Sequence, residues 1–293
     1  MIKWIATDMD GTLLHSNHGI SEENIRAIQH ARENGVGVVV ATGRIYKFAC
    51  LPLKNAGLKL PVISLNGAQI HSEDGKCLLS IPLSVEQTKK IYQILNKESI
   101  YFEVYTNRAL VANSRWQALK MLKTLKGNGS WFRIFSGIQH HFFNREVQFI
   151  PDFPERLEKE VIDCYKFIIF SQDPEKLESV KQKLAIVPDL AISSSSSVNL
   201  EITHRKAQKG LALETFAHMN GASLNEVMAI GDGGNDKSML EKAGFSVAMG
   251  NAADELLKIA DYVTSSNDEH GFARAVEKVL EINQCEQIHS KIR

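Results

Sequence analysis

The chain has no surplus of either charge: 34 Lys and Arg balance 34 Asp and Glu over 293 residues. A surface basic enough to recruit nucleic acid, or to lie on an anionic membrane, is therefore not expected. Cysteine is scarce. Cys50, Cys77, Cys164 and Cys285 stand far apart with no C-x-x-C pair, which argues against a disulfide frame or a zinc site and fits reduced thiols in the cytoplasm. No stretch approaches ~18 consecutive apolar residues, so no spanning helix is expected. Met1-Ile2-Lys3-Trp4 runs into Asp8 too soon for a signal-peptide core. Internal repeats are absent, which removes solenoids and propellers. What remains is a cytoplasmic globular protein, a monomer or weak dimer, with no nucleic-acid and no membrane partner. Its length suits two modest domains.

What is present begins at Ile5-Ala6-Thr7-Asp8-Met9-Asp10-Gly11-Thr12-Leu13-Leu14. An apolar run reads as a buried strand, two carboxylates follow it, and Gly11 lets the backbone turn. Ser21 is placed to cap a helix carrying Ile25, Ile28 and Ala31, which Asn34-Gly35 ends. Val36 to Ala41 is nearly all β-branched, as a central parallel strand is, and it runs into Thr42-Gly43-Arg44. A helix to Ala56 and a strand over Val62 to Leu65 follow, then Asn66-Gly67. Strand, helix, strand is the grammar of a doubly wound sheet.

The pattern then changes. Asp74-Gly75 reads as a hairpin turn, Ser84 to Gln87 as a capping box, and Tyr101 to Tyr105 and Ala109 to Ala112 as strands. A helix is expected over Trp116 to Leu125 and a strand over Tyr165 to Phe170, and Pro174 opens a further helix. From about His204 the βα grammar resumes, with Ser223-Leu224-Asn225-Glu226 as a capping signal. Strand Val227 to Ile230 leads into Gly231-Asp232-Gly233-Gly234-Asn235-Asp236. Strand Phe245 to Ala248, a helix over Ala252 to Ile259 and a closing helix over Gly271 to Leu280 follow, and the polar tail Cys285 to Arg293 is expected to fray. The expected fold is α/β: a doubly wound, mostly parallel Rossmann-like core from residues 1–82 and 204–293, with an α+β insert over residues 83–203.

Three polar clusters thus follow strands: Asp8 with Asp10, Thr42-Gly43, and Asp232 with Asp236. Lys209-Gly210 opens a helix. Each has a plain reading alone. An acidic turn, a turn hydroxyl and a solvated lysine are all common, and a calcium loop is a further rival. Gly19, however, stands where an EF-hand needs its closing glutamate. Asp236 likewise stands where a dinucleotide fingerprint needs its last glycine. The four together, in this order, defeat the plain readings.

Together with Ala41-Thr42-Gly43-Arg44, Asn66-Gly67-Ala68 and Val247-Ala248-Met249-Gly250-Asn251-Ala252, they resemble the haloacid dehalogenase superfamily and its Cof-type phosphatases in particular. Met9 departs mildly from the commoner leucine. The resemblance implies a magnesium-dependent hydrolase of small phosphate esters. In that reading Asp8 attacks phosphorus and Asp10 serves as general acid and base. Thr42, Gly43, Lys209 and Asn235 bind the phosphate, Asn235 alternatively orienting Lys209. Asp8, the Asp10 carbonyl and Asp232 hold Mg2+, with Asp236 behind them holding a metal-bound water. Arg44 and Asn66 remain open between substrate contacts and structural roles. The insert would be a cap that selects the leaving group; its Tyr105, Asn107, Arg108, His140 and His141 are read as ordinary surface or strand residues first. A phosphotransferase or mutase, and a non-catalytic metabolite-binding protein, are the alternatives.

Overall fold

The computed structural model describes residues 1–118, 147–150, 153–194 and 197–292. His140, His141 and most of the helix expected from Trp116 lie outside these. The chain forms two compact units, one of Met1–Ser80 with Lys206–Arg293, the other of Ile81–Arg205.

The first unit opens with β1 (Trp4–Thr7), α1 (Glu22–Glu33), β2 (Gly37–Ala41), α2 (Tyr46–Asn55) and β3 (Val62–Ser64). A hairpin of β4 (Gln69–His71) and β5 (Cys77–Ser80) follows, turning at Gly75. The second unit contains α3 (Val85–Lys97), β6 (Tyr101–Thr106), β7 (Leu110–Ala112), β8 (Val147–Phe149) and α4 (Phe153–Lys159). It ends with β9 (Cys164–Phe170), α5 (Pro174–Leu184), β10 (Leu190–Ser193) and β11 (Asn199–His204). The chain then returns to the first unit with α6 (Lys209–Met219), β12 (Val227–Gly231), α7 (Lys237–Leu240), β13 (Phe245–Ala248), α8 (Asp254–Leu257), β14 (Tyr262–Val263) and α9 (Gly271–Ile292).

The first unit's sheet has the order β14-β13-β12-β1-β2-β3-β4-β5. Pairing is parallel from β14 to β3 and antiparallel only at the β3-β4-β5 edge. The apolar runs are continuous because both faces are covered. Ile5, Val38 and Val40 face one core with Ile28, Leu53 and Phe272, while Ala6, Val39 and Ala41 face another with Leu213, Phe216 and Leu240. The chain winds from β1 outward to β3, then returns to pair β12 on the other flank of β1. That reversal leaves a crevice at the carboxyl end of β1, where ligands bind in such sheets.

Local capping signals explain the starts of α1, α3 and α5. The Ser21 side chain accepts from Asn24 N at the start of α1, and Ser84 with Gln87 closes a reciprocal capping box on α3. Four expectations need correction. The β3 strand stops at Ser64, because Leu65 and Asn66 take positive φ in a single 3₁₀ turn. Ser223 and Glu226 do cap each other, but around one 3₁₀ turn only. The helix expected over Ala252 to Ile259 is one turn, Asp254–Leu257. The tail expected to fray continues α9 as far as Ile292.

The second unit's sheet has the order β10-β11-β9-β6-β7-β8 and is antiparallel except between β7 and β8. One face packs Phe102, Val104, Phe167, Ile169 and Ile202 against Ile91, Leu157 and Val180 of α3, α4 and α5.

Candidate active site

The carboxyl end of β1 is held by its neighbours on both sides. Asp8 N donates to Ile230 O of β12 at 2.9 Å, and the chain then turns through Gly11 at φ +80°. A Cβ at Gly11 would collide with the Asp232 carboxylate, so the turn needs glycine for its conformation and for its closeness. Thr12 Oγ1 donates to Asp232 Oδ1 at 2.9 Å, and Asn251 Nδ2 donates to Gly11 O at 2.9 Å. Neither Thr12 nor Asn251 has a role in the sequence reading, although both stand inside the quoted motifs. Their partners are more than two hundred residues away, and no local signal reports that.

Lys209 is the first residue of α6 and is fully buried. Its Nζ lies 2.5 Å from Asp8 Oδ1 and 2.5 Å from Asp236 Oδ1. Gly210 brings the helix start this close, because a Cβ there would run into the Ser238 carbonyl. Asp236 uses its second oxygen on the Asp232 and Gly233 amides, at 3.0 and 2.9 Å. Asn235 Nδ2 instead donates to Asn66 Oδ1 at 3.3 Å. Two carboxylates fix the ammonium, and Asn235 ties the loop after β12 to the turn after β3. Thr42 is buried at the end of β2, where its hydroxyl accepts from Arg44 N at 3.2 Å. Gly43 lies between these two residues. Asp10 is half-exposed, and the Arg44 guanidinium grips it with Nε and Nη2 at 2.7 and 2.5 Å. Arg44 in this structure thus forms a bidentate ion pair, one of the two readings left open.

The electrostatics follow from burial. Oxygens of Asp8, Asp232 and Asp236 all lie within 4.8 Å of one another. Burial first, then the charge of Asp236, raises the Asp8 carboxyl well above its ordinary range. The same two causes bring Asp232 to about 7. Burial alone would lower the Lys209 ammonium, but Asp236 and Asp8 outweigh it and hold its pKa above the usual lysine value. Three carboxylates facing one ammonium leave the cluster short of positive charge, and its donors are hard oxygens. Both features fit a small divalent cation. Among the described residues no other group of three acidic, His or Cys side chains is close enough to share an ion.

Fold and site together define an α/β enzyme with its polar cluster at the switch point of a parallel sheet. The chain belongs to the haloacid dehalogenase-like hydrolase family, matched over residues 5–276, in its Cof-type branch. It is 36% identical over 285 residues to the phosphatase YwpJ of Bacillus subtilis, covering 95% of this chain and 100% of that one. It is 35% identical over 284 residues to YwtE of the same bacterium, a 5-amino-6-(5-phospho-D-ribitylamino)uracil phosphatase, covering 95% and 98%. A solved haloacid dehalogenase-like hydrolase from B. subtilis has 37% identity and TM-score 0.84, covering 94% of this chain and 99% of that one. The protein is accordingly a phosphatase, a phosphoric monoester hydrolase acting on small phosphate esters. The family generally uses a divalent metal, and the aspartate cluster is compatible with one.

Proposed function

We propose that the protein is a magnesium-dependent phosphatase of small phosphorylated metabolites that works through an aspartyl-phosphate on Asp8. The observation that carries this reading is the Asp8 carboxylate, buried at a strand end and fixed by Lys209 at 2.5 Å, with a second acid two residues on. Asp8 and Asp232 would hold magnesium by side chain and Asp10 by its backbone carbonyl, with Asp236 behind them. Bound there, magnesium supplies the positive charge that lets an anionic nucleophile approach an anionic phosphate.

The chain's own residues do the rest. An Asp8 oxygen attacks phosphorus and the ester oxygen departs with a proton from Asp10. Asp10 then takes a proton from the water that cleaves the acyl phosphate. The ammonium of Lys209, the Thr42 hydroxyl and the Gly43 amide bind the oxygens on which charge accumulates. Arg44, already on Asp10, sets the direction of its carboxyl. The unit Ile81–Arg205 selects the leaving group. The phosphorylated ribitylaminouracil that names YwtE is one substrate to include in a screen.

The test is phosphate release from such a panel with magnesium and with excess chelator. Release should need the cation and no added acceptor, and Asp232→Asn should raise the magnesium concentration required. Full turnover in chelator would overturn the metal assignment. Release only on adding a sugar acceptor would make the protein a phosphotransferase.

A further inference from the structure

The turn that carries Asp8 and Asp10 is held from outside by three side-chain amides. Asn251 Nδ2 donates to Gly11 O, Asn24 Nδ2 to Leu13 O and Asn267 Nδ2 to Leu14 O, each at 2.9 Å. They come from three places: the loop after β13, helix α1 and the turn ahead of α9. Asn24 and Asn267 are buried, whereas Asn251 is exposed. A buried amide that satisfies a carbonyl supports the fold, and that accounts for the first two. It does not account for Asn251, because an exposed hydrogen bond between neutral groups adds little stability.

The loop that presents Asn251 is nevertheless fixed at three points. Met249 N donates to Gly231 O at 3.1 Å, Gly250 N to Ser265 O at 3.0 Å and Ala253 N to Asp232 O at 3.0 Å. A Cβ at Gly250 would press on the backbone of Thr264, Ser265 and Ser266. Asn267 N donates to Asn251 Oδ1 at 2.9 Å. A backbone amide only donates and a carbonyl only accepts, so these two partners allow the Asn251 amide one orientation, with Nδ2 towards Gly11. The residue that it holds is the one most able to move. Gly11, at φ +80°, is free to take either sign of φ. Rotation about it would swing the peptide that carries the Asp10 carbonyl and would pull Thr12 Oγ1 away from Asp232.

We propose that Asn251 is a positioning residue: it locks the Gly11 peptide, and so keeps the Asp10 carbonyl and the Asp232 carboxylate in place for the cation. The proposal rests on the magnesium-dependent reading above. Asn251 touches neither the cation nor the ester. It acts through Gly11 alone, and Asn267 keeps its amide turned the right way.

The experiment measures magnesium affinity by calorimetry without substrate at about pH 8, where carboxylates are ionised, beside kcat and KM for p-nitrophenyl phosphate. Asn251→Ala should bind magnesium about ten- to a hundredfold more weakly, as loss of a group that orients a ligand does. Its kcat should fall while KM for the ester holds, and its melting temperature should stay close to that of wild type. Asn251→Asp keeps the size and loses the donor, and its added negative charge would by itself tighten cation binding. Weaker binding in Asn251→Asp therefore reports position, and this variant carries the same readout if Asn251→Ala does not fold. Asn283 is the control, a buried residue of α9 that bonds Ile2 N and Ile2 O at 2.7 Å each. Asn283→Ala should lower the melting temperature and leave magnesium affinity as it is. Wild-type affinity in Asn251→Ala, or tighter binding in Asn251→Asp, overturns the proposal. So does an equal loss of affinity in Asn283→Ala, which would make the effect one of general destabilisation. Wild type that binds no magnesium overturns the metal reading itself, and this proposal with it.

Discussion

Asp8 and Asp10 stand two residues apart and meet opposite surroundings: Asp8 is buried on Lys209, and Asp10 is half-exposed on Arg44. That contrast sets apart what their removal should do. In the proposed scheme Asp8→Asn takes away the nucleophile, so turnover should vanish while the fold survives. Asp10→Asn keeps the backbone carbonyl and, in the same scheme, removes proton transfer, typically worth ~10²–10⁴ in rate. A good leaving group such as p-nitrophenolate needs little acid help in the first step, whereas the second step still needs a base. Asp10→Asn should therefore accumulate a phosphorylated protein after an acid quench, with the label on Asp8 by peptide mass mapping. A label elsewhere would refute the covalent scheme. Gly11 offers a second test of placement. Alanine there must adopt a φ of +80°, at a cost of about 1–3 kcal/mol, and it must also displace Asp232. Gly11→Ala should lower kcat/KM about a hundredfold, as misplacing a catalytic group by 1 Å does, together with a raised magnesium requirement and a modest drop in melting temperature.

At the scale of elements, the strands carrying the site are pinned from their far ends. Lys3 and Glu226, just ahead of β1 and β12, join by Lys3 N to Glu226 O at 2.7 Å and by their side chains at 2.7 Å. The hydrogen bond from Lys3, then that from the Ser223 amide, depresses the Glu226 carboxyl from 4.5 to about 2. A depressed acid adds stability above its unfolded value, and that stability is lost as pH falls toward the folded one. Lys3→Ala should thus shift the urea midpoint slightly downward at neutral pH and not at all near pH 2, the effect being small because the pair is exposed. Elements also divide what was legible in the sequence from what was not. Ile5-Ala6 and Val38 to Ala41 announced buried strands because helices cover both faces, and Ser21, Ser84 and Pro174 announced helix starts because capping is local chemistry. The positive φ at Leu65 was hidden, since leucine rarely adopts it, whereas Asn66-Gly67 was open to a tight turn. The burial of Lys209 was hidden too, because a lysine is drawn inward only by carboxylates that lie elsewhere in the chain. The motifs placed the polar residues at strand ends. Which of them touch, Arg44 with Asp10 and Asn235 with Asn66, is settled in three dimensions and left no local trace.

At the scale of the molecule, the two units divide the sequence unevenly, with Ile81–Arg205 between the halves of the other unit. Exchanging this segment for its counterpart in YwpJ should transfer substrate preference and leave the chelator sensitivity and the phosphorylated residue as they were. An unchanged preference would show that selection resides in the first unit. The split has a further consequence, which concerns the order in which the protein is made. The bond from Lys209 to Asp8 spans 201 positions and that from Thr12 to Asp232 spans 220. Contacts of such separation form late and slowly. While a ribosome is still producing the intervening segment, β1 has no β12 beside it, so a nascent chain presents an open, strongly apolar strand edge of the sort that invites wrong pairing. It also holds Asp8 with neither Lys209 nor Asp236 beside it. On the proposed mechanism the enzyme therefore comes into being inactive, and acquires its reactive centre only when the last third of the polypeptide has emerged and closed the sheet.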